Sequence, residues 1–282
     1  MELIADGGST KVDWVVLDDL KKEVLRVKSV GLNPAIISEK VLKDRLLDVD
    51  ELMEIRNEIK KVHFYGAGCG TPRPLNVLKK IFTEIFIKAD VFVAEDMLAA
   101  VYAASFNKKS IVCILGTGSN SCYYNGEEIE DMIPSLGYTI MDEASGNYFG
   151  KILLRDFFYK KMPKHLRKEF DKTFDLNADL IKESLYKKPN PNMYLASFAS
   201  FMFNFKDDKY IKKIIKKGFN TFLQKRVLIY KHPTEVPLYF IGSIAYYFKD
   251  LLDKCAEKHK LTITNVIQRP LDSLIKYHQE VS

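Results

Sequence analysis

Residues 3–17 read LIADGGSTKVDWVVL, and this stretch decides the fold. Apolar residues over 2–5 and again over 12–18 predict two strands, and the glycine-containing segment between them predicts the turn that joins the strands. A third strand is expected over residues 23–30. Because this meander is followed by strands that alternate with helices, the sequence predicts an α/β domain built on a mixed sheet.

The same strand–turn–strand unit returns about one domain later. Residues 110–115 (SIVCIL) predict a strand that leads into the turn Gly116-Thr117-Gly118-Ser119, and residues 120–126 predict the strand that follows. Two copies of one unusual unit indicate an internal duplication. Elsewhere the pattern predicts strands over 62–68, 90–94, 237–242 and 262–268, and helices over 36–60, 75–86, 96–105, 243–258 and from Pro270 onward.

The chain has 282 residues, of which 47% are hydrophobic, and this is enough for two domains with cores of their own. We predict an N-terminal lobe over residues 1–106 and a C-terminal lobe over residues 107–269. The last helix, over residues 270–282, could pack back on the first lobe.

Charge and cysteine usage limit the possible partners. The net charge of +6 favours anionic ligands such as nucleotides. The most basic stretch, Lys206–Lys217, has apolar residues at helical spacing, so we expect an amphipathic helix there and no nucleic-acid partner. Four scattered cysteines, with no signal-peptide pattern and no apolar run of membrane-spanning length, predict a cytoplasmic protein without a membrane partner.

Both glycine turns have features of a phosphate-binding loop. Glycine lets backbone N–H groups approach a ligand closely, and the hydroxyls of Ser9, Thr10, Thr117 and Ser119 add donors. The P-loop pattern GxxxxGK[ST] is absent. One such turn alone would be interpreted as an ordinary hairpin, but two copies spaced a domain apart favour phosphate binding.

Two aspartates stand at the ends of predicted strands. Asp6 could hold Mg²⁺ beside the phosphates, or it could be a common Asx-turn residue. Asp96 opens a helix after the strand over 90–94, where it could be an N-cap or a general base that faces the ligand crevice. The residues alone leave both alternatives open.

Two further segments also have alternative interpretations. Asp142 and Glu143 precede a helix, so they could cap it or accept hydrogen bonds from sugar hydroxyls. Gly242 and Ser243 end an apolar strand, where they could approach an adenosine or simply start a helix.

The order of these motifs resembles the N-acetylglucosamine kinase group of the BadF/BadG/BcrA/BcrD-type ATPase family. That family includes the activators of benzoyl-CoA reductase and 2-hydroxyacyl-CoA dehydratase and belongs to the sugar-kinase/actin superfamily. The resemblance spans nearly the whole chain and is carried by LIADGGSTKVDWVVLD, VGLNP, FYGAGCG, AEDMLAA, ILGTGSNS, LGYTIMDEASGNYFG, FIGSIAYYF and RPLDSLIKYH. It implies an α/β fold of two ribonuclease-H-like (actin-type ATPase) domains with a nucleotide cleft between them.

The resemblance also implies a kinase that uses ATP and Mg²⁺ to phosphorylate an amino sugar, N-acetylglucosamine first among the candidates, with a homodimer as a possible assembly. It assigns ATP and phosphate binding to Gly7, Gly8, Ser9, Thr10, Lys11, Gly116, Thr117, Gly118, Gly242 and Ser243. It assigns the catalytic base to Asp96, the metal to Asp6, and sugar binding to Asn33, Asp96, Ser119, Asn120, Gly137 and Asp142.

Two departures from the family pattern bear on the substrate. Met141 and Ala144 replace glycines of a GDEGSG motif, which would stiffen the loop or narrow the pocket. Glu95 precedes the expected base where a small polar residue is usual. A partner-coupled ATPase of the activator type and a non-catalytic sugar sensor are the alternative functions.

Overall fold

The computed structural model describes residues 1–8 and 11–280, apart from the side chains of Asp131 and Met132. The predicted phosphate ligands Ser9 and Thr10 therefore lie outside the described residues. The chain forms two compact units, one of Met1–Phe106 with Pro270–Ser282 and the other of Asn107–Arg269.

Strands form one five-stranded sheet in each unit. They are β1 (Glu2–Gly7), β2 (Lys11–Leu17), β3 (Glu23–Val30), β4 (Lys61–Gly66), β5 (Asp90–Glu95), β6 (Ser110–Leu115), β7 (Ser119–Tyr124), β8 (Ile129–Met132), β9 (Leu238–Ile241) and β10 (Ile263–Ile267). The first sheet has the order β3-β2-β1-β4-β5 and the second has the order β8-β7-β6-β9-β10.

Helices fill the connections between the strands. They are α1 (Glu39–Leu47), α2 (Asp50–Ile55), α3 (Pro72–Ile85), α4 (Asp96–Ser105), α5 (Gly146–Phe158), α6 (Lys164–Thr173), α7 (Ala178–Tyr186), α8 (Pro191–Ser197), α9 (Phe201–Asn204), α10 (Lys209–Arg226), α11 (Ser243–Tyr247), α12 (Lys249–Lys258) and α13 (Leu271–Glu280). In the described residues, no helix combines the length and the apolar character that a membrane crossing requires.

The two sheets share one topology. In each sheet the first strand pairs antiparallel with the second, and parallel with the fourth. The third strand pairs antiparallel with the second, and the fifth pairs parallel with the fourth. The repeated motif in the sequence thus corresponds to a repeated topology, and the predicted α/β class with mixed sheets is confirmed.

The first sheet is covered by helices on both faces, because successive side chains of β1 point into different apolar clusters. Leu3 and Ala5 face one apolar cluster, to which α1, α2 and α3 contribute, while Ile4 faces another, to which α4 and α13 contribute. Successive strand residues point to opposite faces, so a strand covered on both sides is apolar throughout. In the second unit, one face of β6 packs on a large cluster that includes residues of α5, α10 and α12.

Two predicted helices differ from the structure, and one strand was not predicted. The helix predicted over residues 36–60 is two helices, because the backbone at Val49 leaves the helical region (φ −94°, ψ 81°) while its side chain is buried. The helix predicted over 243–258 likewise divides at the buried Phe248. Strand β8 was not predicted, because it is four residues long and its sequence, IEDM, carries two acidic residues.

Candidate active site

The turn between β1 and β2 is fixed at both described ends. Gly8 N donates to Lys11 O over 2.8 Å, and Ala67 N donates to Gly7 O over 2.8 Å. A side chain at Gly7 would place its Cβ 2.5 Å from the Phe64 ring, so this position requires glycine. The predicted ligands Gly7 and Gly8 therefore belong to a turn that is held from two sides.

Carboxylates gather where β1 ends. Asp6 is half-buried and lies opposite Asp13 in the antiparallel register. Burial and, to a smaller extent, the charges of Asp96 and Asp13 together raise the pKa of Asp6 to about 6, against the opposing charge of Lys11. The ammonium of Lys11 lies 2.8 Å from Asp13 Oδ2, so this predicted phosphate ligand is paired with a carboxylate here.

Asp96 is the first residue of α4 and follows directly on β5. It is half-buried, and burial raises the pKa of its carboxyl, while the backbone N–H groups of Asp96 and Met97 donate to the carboxylate and lower it. The residue at the N-cap of α4 is Glu95, so the N-cap interpretation of Asp96 is wrong, because Asp96 already belongs to the first helical turn. The charge of Asp96 also raises the pKa of Asp6.

The glycine loop after β4 contacts both Asn33 and the Glu95 carboxylate. A Cβ at Gly68, where φ is +85°, would overlap Asn33 Oδ1, so the Asn33 amide packs directly on this backbone. Asn33 is buried, and its Oδ1 also accepts from Ala35 N over 3.0 Å. A Cβ at Gly70 would lie 3.0 Å from the Glu95 carboxylate. Two glycines thus let one loop contact the predicted sugar ligand and the neighbour of the predicted base.

The first unit contains two ionisable residues with perturbed pKa values, Glu95 and Cys69, to which the sequence interpretation assigned no role. Burial and, to a smaller extent, the charge of Asp96 together raise the pKa of Glu95 to about 7. Burial raises the pKa of the Cys69 thiol to about 12, with contributions from Asp96 and Glu95. The sequence signal for this region is the glycine spacing of the loop that contains Cys69, because glycine occupies every second position of Gly66–Gly70.

The turn between β6 and β7 is held by the N-terminus of α5. Gly146 N donates to Gly116 O over 2.8 Å, and Asn147 N donates to Thr117 O over 3.0 Å. A Cβ at Gly116 would meet no atom of the described residues within 4 Å, and Thr117 is exposed. The predicted phosphate ligands of this turn therefore present open backbone on a rigid support.

Asp142 links this turn to α5 through both carboxylate oxygens. Its Oδ1 accepts from Ser119 N over 3.1 Å, and its Oδ2 accepts from Asn147 Nδ2 over 2.7 Å. A Cβ at Gly118 would lie 3.1 Å from Oδ2, so glycine permits this approach. Asp142 is buried, and the sequence interpretation missed its partner Asn147, whose only signal was a polar residue one position into the helix.

The loop that departs from the family motif adopts left-handed backbone without glycine. The φ of Asp142 is 70° and that of Ala144 is 61°, and the Ala144 side chain is buried. Left-handed backbone costs a residue with a Cβ roughly 1–2 kcal/mol. Met141 contributes its Sδ to the buried Arg226, whose Nη2 lies 3.3 Å away.

Other predicted ligands of the second unit differ in their exposure. The Ser119 hydroxyl is buried and has no hydrogen-bond partner among the residues that the structure describes. Asn120 Oδ1 accepts from Ser121 N over 2.9 Å. Gly137 has a φ of +77°, and open space surrounds the position of its missing side chain.

Gly242 lies against the end of β6. A Cβ at this position, where φ is +119°, would overlap the carbonyl oxygen of Leu115, the residue before the second turn. Gly242 N donates to Ile267 O over 2.9 Å, and Ser243 is the first residue of α11. The predicted adenosine segment and the second phosphate turn are therefore in backbone contact.

The structure thus brings the predicted residues together in two groups, one in each unit. In the first, Asp6 and Asp96 fit Mg²⁺, because a hard cation prefers carboxylate oxygens and would relieve the repulsion that raises the Asp6 pKa. In the second, the open backbone at Gly116 with the exposed Thr117 hydroxyl fits a phosphate.

The fold and sequence are similar to those of a putative N-acetylglucosamine kinase from Porphyromonas gingivalis. The two chains share 35% sequence identity over 100% of this chain and 99% of that one, with a TM-score of 0.91. A putative N-acetylglucosamine kinase from Chromobacterium violaceum is 13% identical, with a TM-score of 0.72 over 98% of both chains.

A more distant structure shares the fold alone. A ROK family glucokinase from Streptomyces griseus, in complex with glucose and AMPPNP, has a TM-score of 0.59 at 12% identity, over 98% of this chain and 97% of that one. No protein-family profile and no curated protein sequence matches the chain.

Proposed function

The chain belongs to the family of the putative N-acetylglucosamine kinase from Porphyromonas gingivalis, and from this we propose that it is an ATP-dependent sugar kinase that phosphorylates N-acetylglucosamine on its 6-hydroxyl. The membership confirms the resemblance to N-acetylglucosamine kinases that the sequence motifs indicated. One observation carries the proposal: Asp96 stands at the end of β5, close enough to Asp6 for its charge to raise the pKa of the Asp6 carboxyl.

Asp96 is the general base in this proposal. The attacking sugar hydroxyl gives its proton to the Asp96 carboxylate as its oxygen forms a bond to the γ-phosphorus, and the bond from that phosphorus to the β-phosphate oxygen breaks to release ADP. A base whose pKa lies above the ordinary aspartate range shares the proton more evenly in the transition state. The N–H groups of Asp96 and Met97 fix the orientation of the carboxylate.

The two glycine turns bind phosphate oxygens. Gly7, Gly8 and Lys11 act in the first unit, and Gly116, Thr117 and Gly118 act in the second. Asp6 would hold Mg²⁺, which neutralises charge on the phosphates when it is bound. Because phosphoryl transfer passes through a loose transition state, most of the acceleration comes from such positioning and charge compensation.

The remaining predicted residues divide into substrate contacts and supports. Asn33 and the buried hydroxyl of Ser119 are proposed to bind sugar hydroxyls, with Asn120 and Gly137 beside them. Gly242 and Ser243 are proposed to border the adenosine. Asp142 is proposed to contact the sugar. The hydrogen bonds that it accepts from Ser119 N and Asn147 Nδ2 also hold the turn between β6 and β7 in position.

The activator-type ATPase has less support from the cysteines. Activators of that type share an iron–sulfur cluster between subunits, which requires cysteines at the surface. All four cysteines of this chain are buried, and none of them belongs to a group of metal-ligating side chains among the described residues.

The deciding experiment is a coupled assay of ADP release with purified protein. N-acetylglucosamine, N-acetylmannosamine, glucosamine, glucose and N-acetylmuramic acid derivatives are supplied one at a time, with a sugar-free control. We expect ADP release that depends on N-acetylglucosamine and a product that carries phosphate on the 6-oxygen. Sugar-independent hydrolysis would support the activator-type ATPase, and the absence of ATP consumption with every sugar would support a sensor.

A further inference from the structure

A second polar cluster lies on β1 at the end opposite to Asp6. Glu2 Oε1 lies 3.2 Å from His63 Nε2 and 3.1 Å from His278 Nδ1. The three side chains come from β1, β4 and α13, and all three ligand atoms lie within 4.8 Å of one another. Among the residues that the structure describes, this is the only such group of three or more histidine, cysteine or carboxylate side chains.

The distances within the cluster match those of a tetrahedral site. Zn²⁺ binds imidazole nitrogen and carboxylate oxygen at about 2.0–2.1 Å, so neighbouring ligand atoms around it lie about 3.3 Å apart. Both nitrogen–oxygen separations are close to that edge length, and the two nitrogens lie within 4.8 Å of each other. Two imidazoles and one carboxylate are a known donor set for zinc, which leaves a fourth position open to water.

His63 gives the strongest indication of a missing partner. Its Nε2 faces Glu2 Oε1 off the line of a hydrogen bond, and it has no hydrogen-bond partner among the described residues although the atom is buried. A buried polar atom without a partner is unfavourable for folding. A cation between Nε2 and Oε1 would satisfy the nitrogen without changing the direction of the ring.

Outer contacts already orient the other two ligands. The Tyr65 hydroxyl lies 3.0 Å from His278 Nε2, so His278 could present Nδ1 to a metal while Nε2–H donates to Tyr65. Lys21 Nζ donates to Glu2 Oε2 over 2.7 Å, and the other oxygen, Oε1, faces both histidines. Such second contacts fix the ring orientation of ligating histidines.

We propose that Glu2, His63 and His278 bind one Zn²⁺ ion, with Tyr65 and Lys21 as its outer contacts. The ion would join the first strand to the C-terminal helix across 276 positions of the chain, and so would stabilise the first unit. This role is independent of phosphoryl transfer, because the cluster stands at the other end of β1 from Asp6.

The test measures zinc binding by the full-length protein in the absence of nucleotide. Native mass spectrometry of metal-free protein titrated with zinc chloride should show one tightly bound ion per chain, and thermal unfolding should shift upward by several degrees at saturation. His63→Ala should remove that ion and the shift. His63 is the least buried ligand, so this variant is the one most expected to fold.

Two further variants complete the test. His232→Ala is the matched control, because His232 also lies 3.2 Å from a carboxylate, that of Glu235, but at an exposed position. It should bind zinc as the wild type does. Tyr65→Phe should weaken zinc binding about 10- to 100-fold. If the wild type binds no zinc, or if His63→Ala and His232→Ala bind it equally, the cluster is a hydrogen-bonded contact only and the proposal is wrong.

Discussion

The two glycine turns occupy equivalent places in sheets of equal topology, yet their surroundings differ. The turn after β1 is bordered by charge, because Asp6 stands directly before Gly7 and interacts electrostatically with Asp13 and Asp96. The turn after β6 has the half-buried Ile114 at the position of Asp6, the fifth residue of its strand. It is instead supported by backbone hydrogen bonds from α5 and by the carboxylate of Asp142.

This difference indicates that the two turns have different roles in the proposed reaction. A half-buried carboxylate group suits a cation and a proton transfer, whereas an open and rigid backbone suits a phosphate. Substitution of the carboxylates in the first unit should therefore alter the rate of the chemical step. Substitutions in and around the turn between β6 and β7 should alter nucleotide binding and local stability. The following variants test this division.

The largest effect is expected from Asp96→Asn. The amide cannot accept the proton of the sugar hydroxyl, so kcat should fall about 10²- to 10⁴-fold. ATP affinity, measured by isothermal titration, should stay within a few-fold of the wild type. Turnover close to that of the wild type would remove Asp96 from the base role, and a parallel loss of ATP binding would contradict the proposed division.

Asp142→Asn should loosen the second turn. The new amide group would face one of the two donors that now bind the carboxylate, Ser119 N or Asn147 Nδ2, and a buried unsatisfied donor costs about 1–3 kcal/mol. We expect hydrogen exchange at the Ser119 amide to accelerate roughly 5- to 100-fold. The control is Glu143→Gln, whose carboxylate pairs with the exposed Lys225 instead. Equal exchange in both variants would show that Asp142 does not support the turn.

Gly116→Ala should raise the KM for ATP with little effect on folding. The added methyl group meets no described protein atom within 4 Å, but it occupies the space where a phosphate would approach the backbone. A loss of about 1.4 kcal/mol in binding corresponds to a 10-fold rise. Gly126→Ala, in the turn before β8, is the control and should leave KM unchanged. An unchanged KM in Gly116→Ala would argue against phosphate binding at this turn.

The smallest effect concerns pH. The folded-state pKa of Glu95, about 7, is raised above its ordinary value, so the protonated carboxyl favours the folded state. This contribution is fully present below about pH 4.5 and is lost as the pH rises through 7. Relative to Glu95→Gln, the wild type should therefore lose stability between pH 5 and pH 8, on the order of 1 kcal/mol because Glu95 is partly exposed.

The measurement is urea unfolding of both proteins at the two pH values, followed by the fluorescence of Trp14, a residue of the first unit. Asp6 titrates in both proteins and largely cancels in the difference. A pH-independent difference between wild type and Glu95→Gln would show that Glu95 is not the group with the raised pKa.

The sequence was sufficient to predict both glycine turns and the position of Asp96, because glycine spacing and strand ends are local signals. It was not sufficient for the link between Asp142 and Asn147, which depends on left-handed backbone at Asp142 and Ala144. Nothing in MDEAS indicates that conformation. The sequence also could not predict the Glu2–His278 contact, because the two residues are 276 positions apart and pair only after folding.

The helix α13 has a consequence for the synthesis of the protein. Leu271, Leu274 and Ile275 complete an apolar cluster whose other members are strand and helix residues numbered between 4 and 103. A ribosome releases the chain from its N-terminus, so this cluster stays incomplete until α13 has emerged. The second unit, by contrast, has all of its residues available once Arg269 has emerged. The unit whose translation begins first is therefore the unit whose core is completed last.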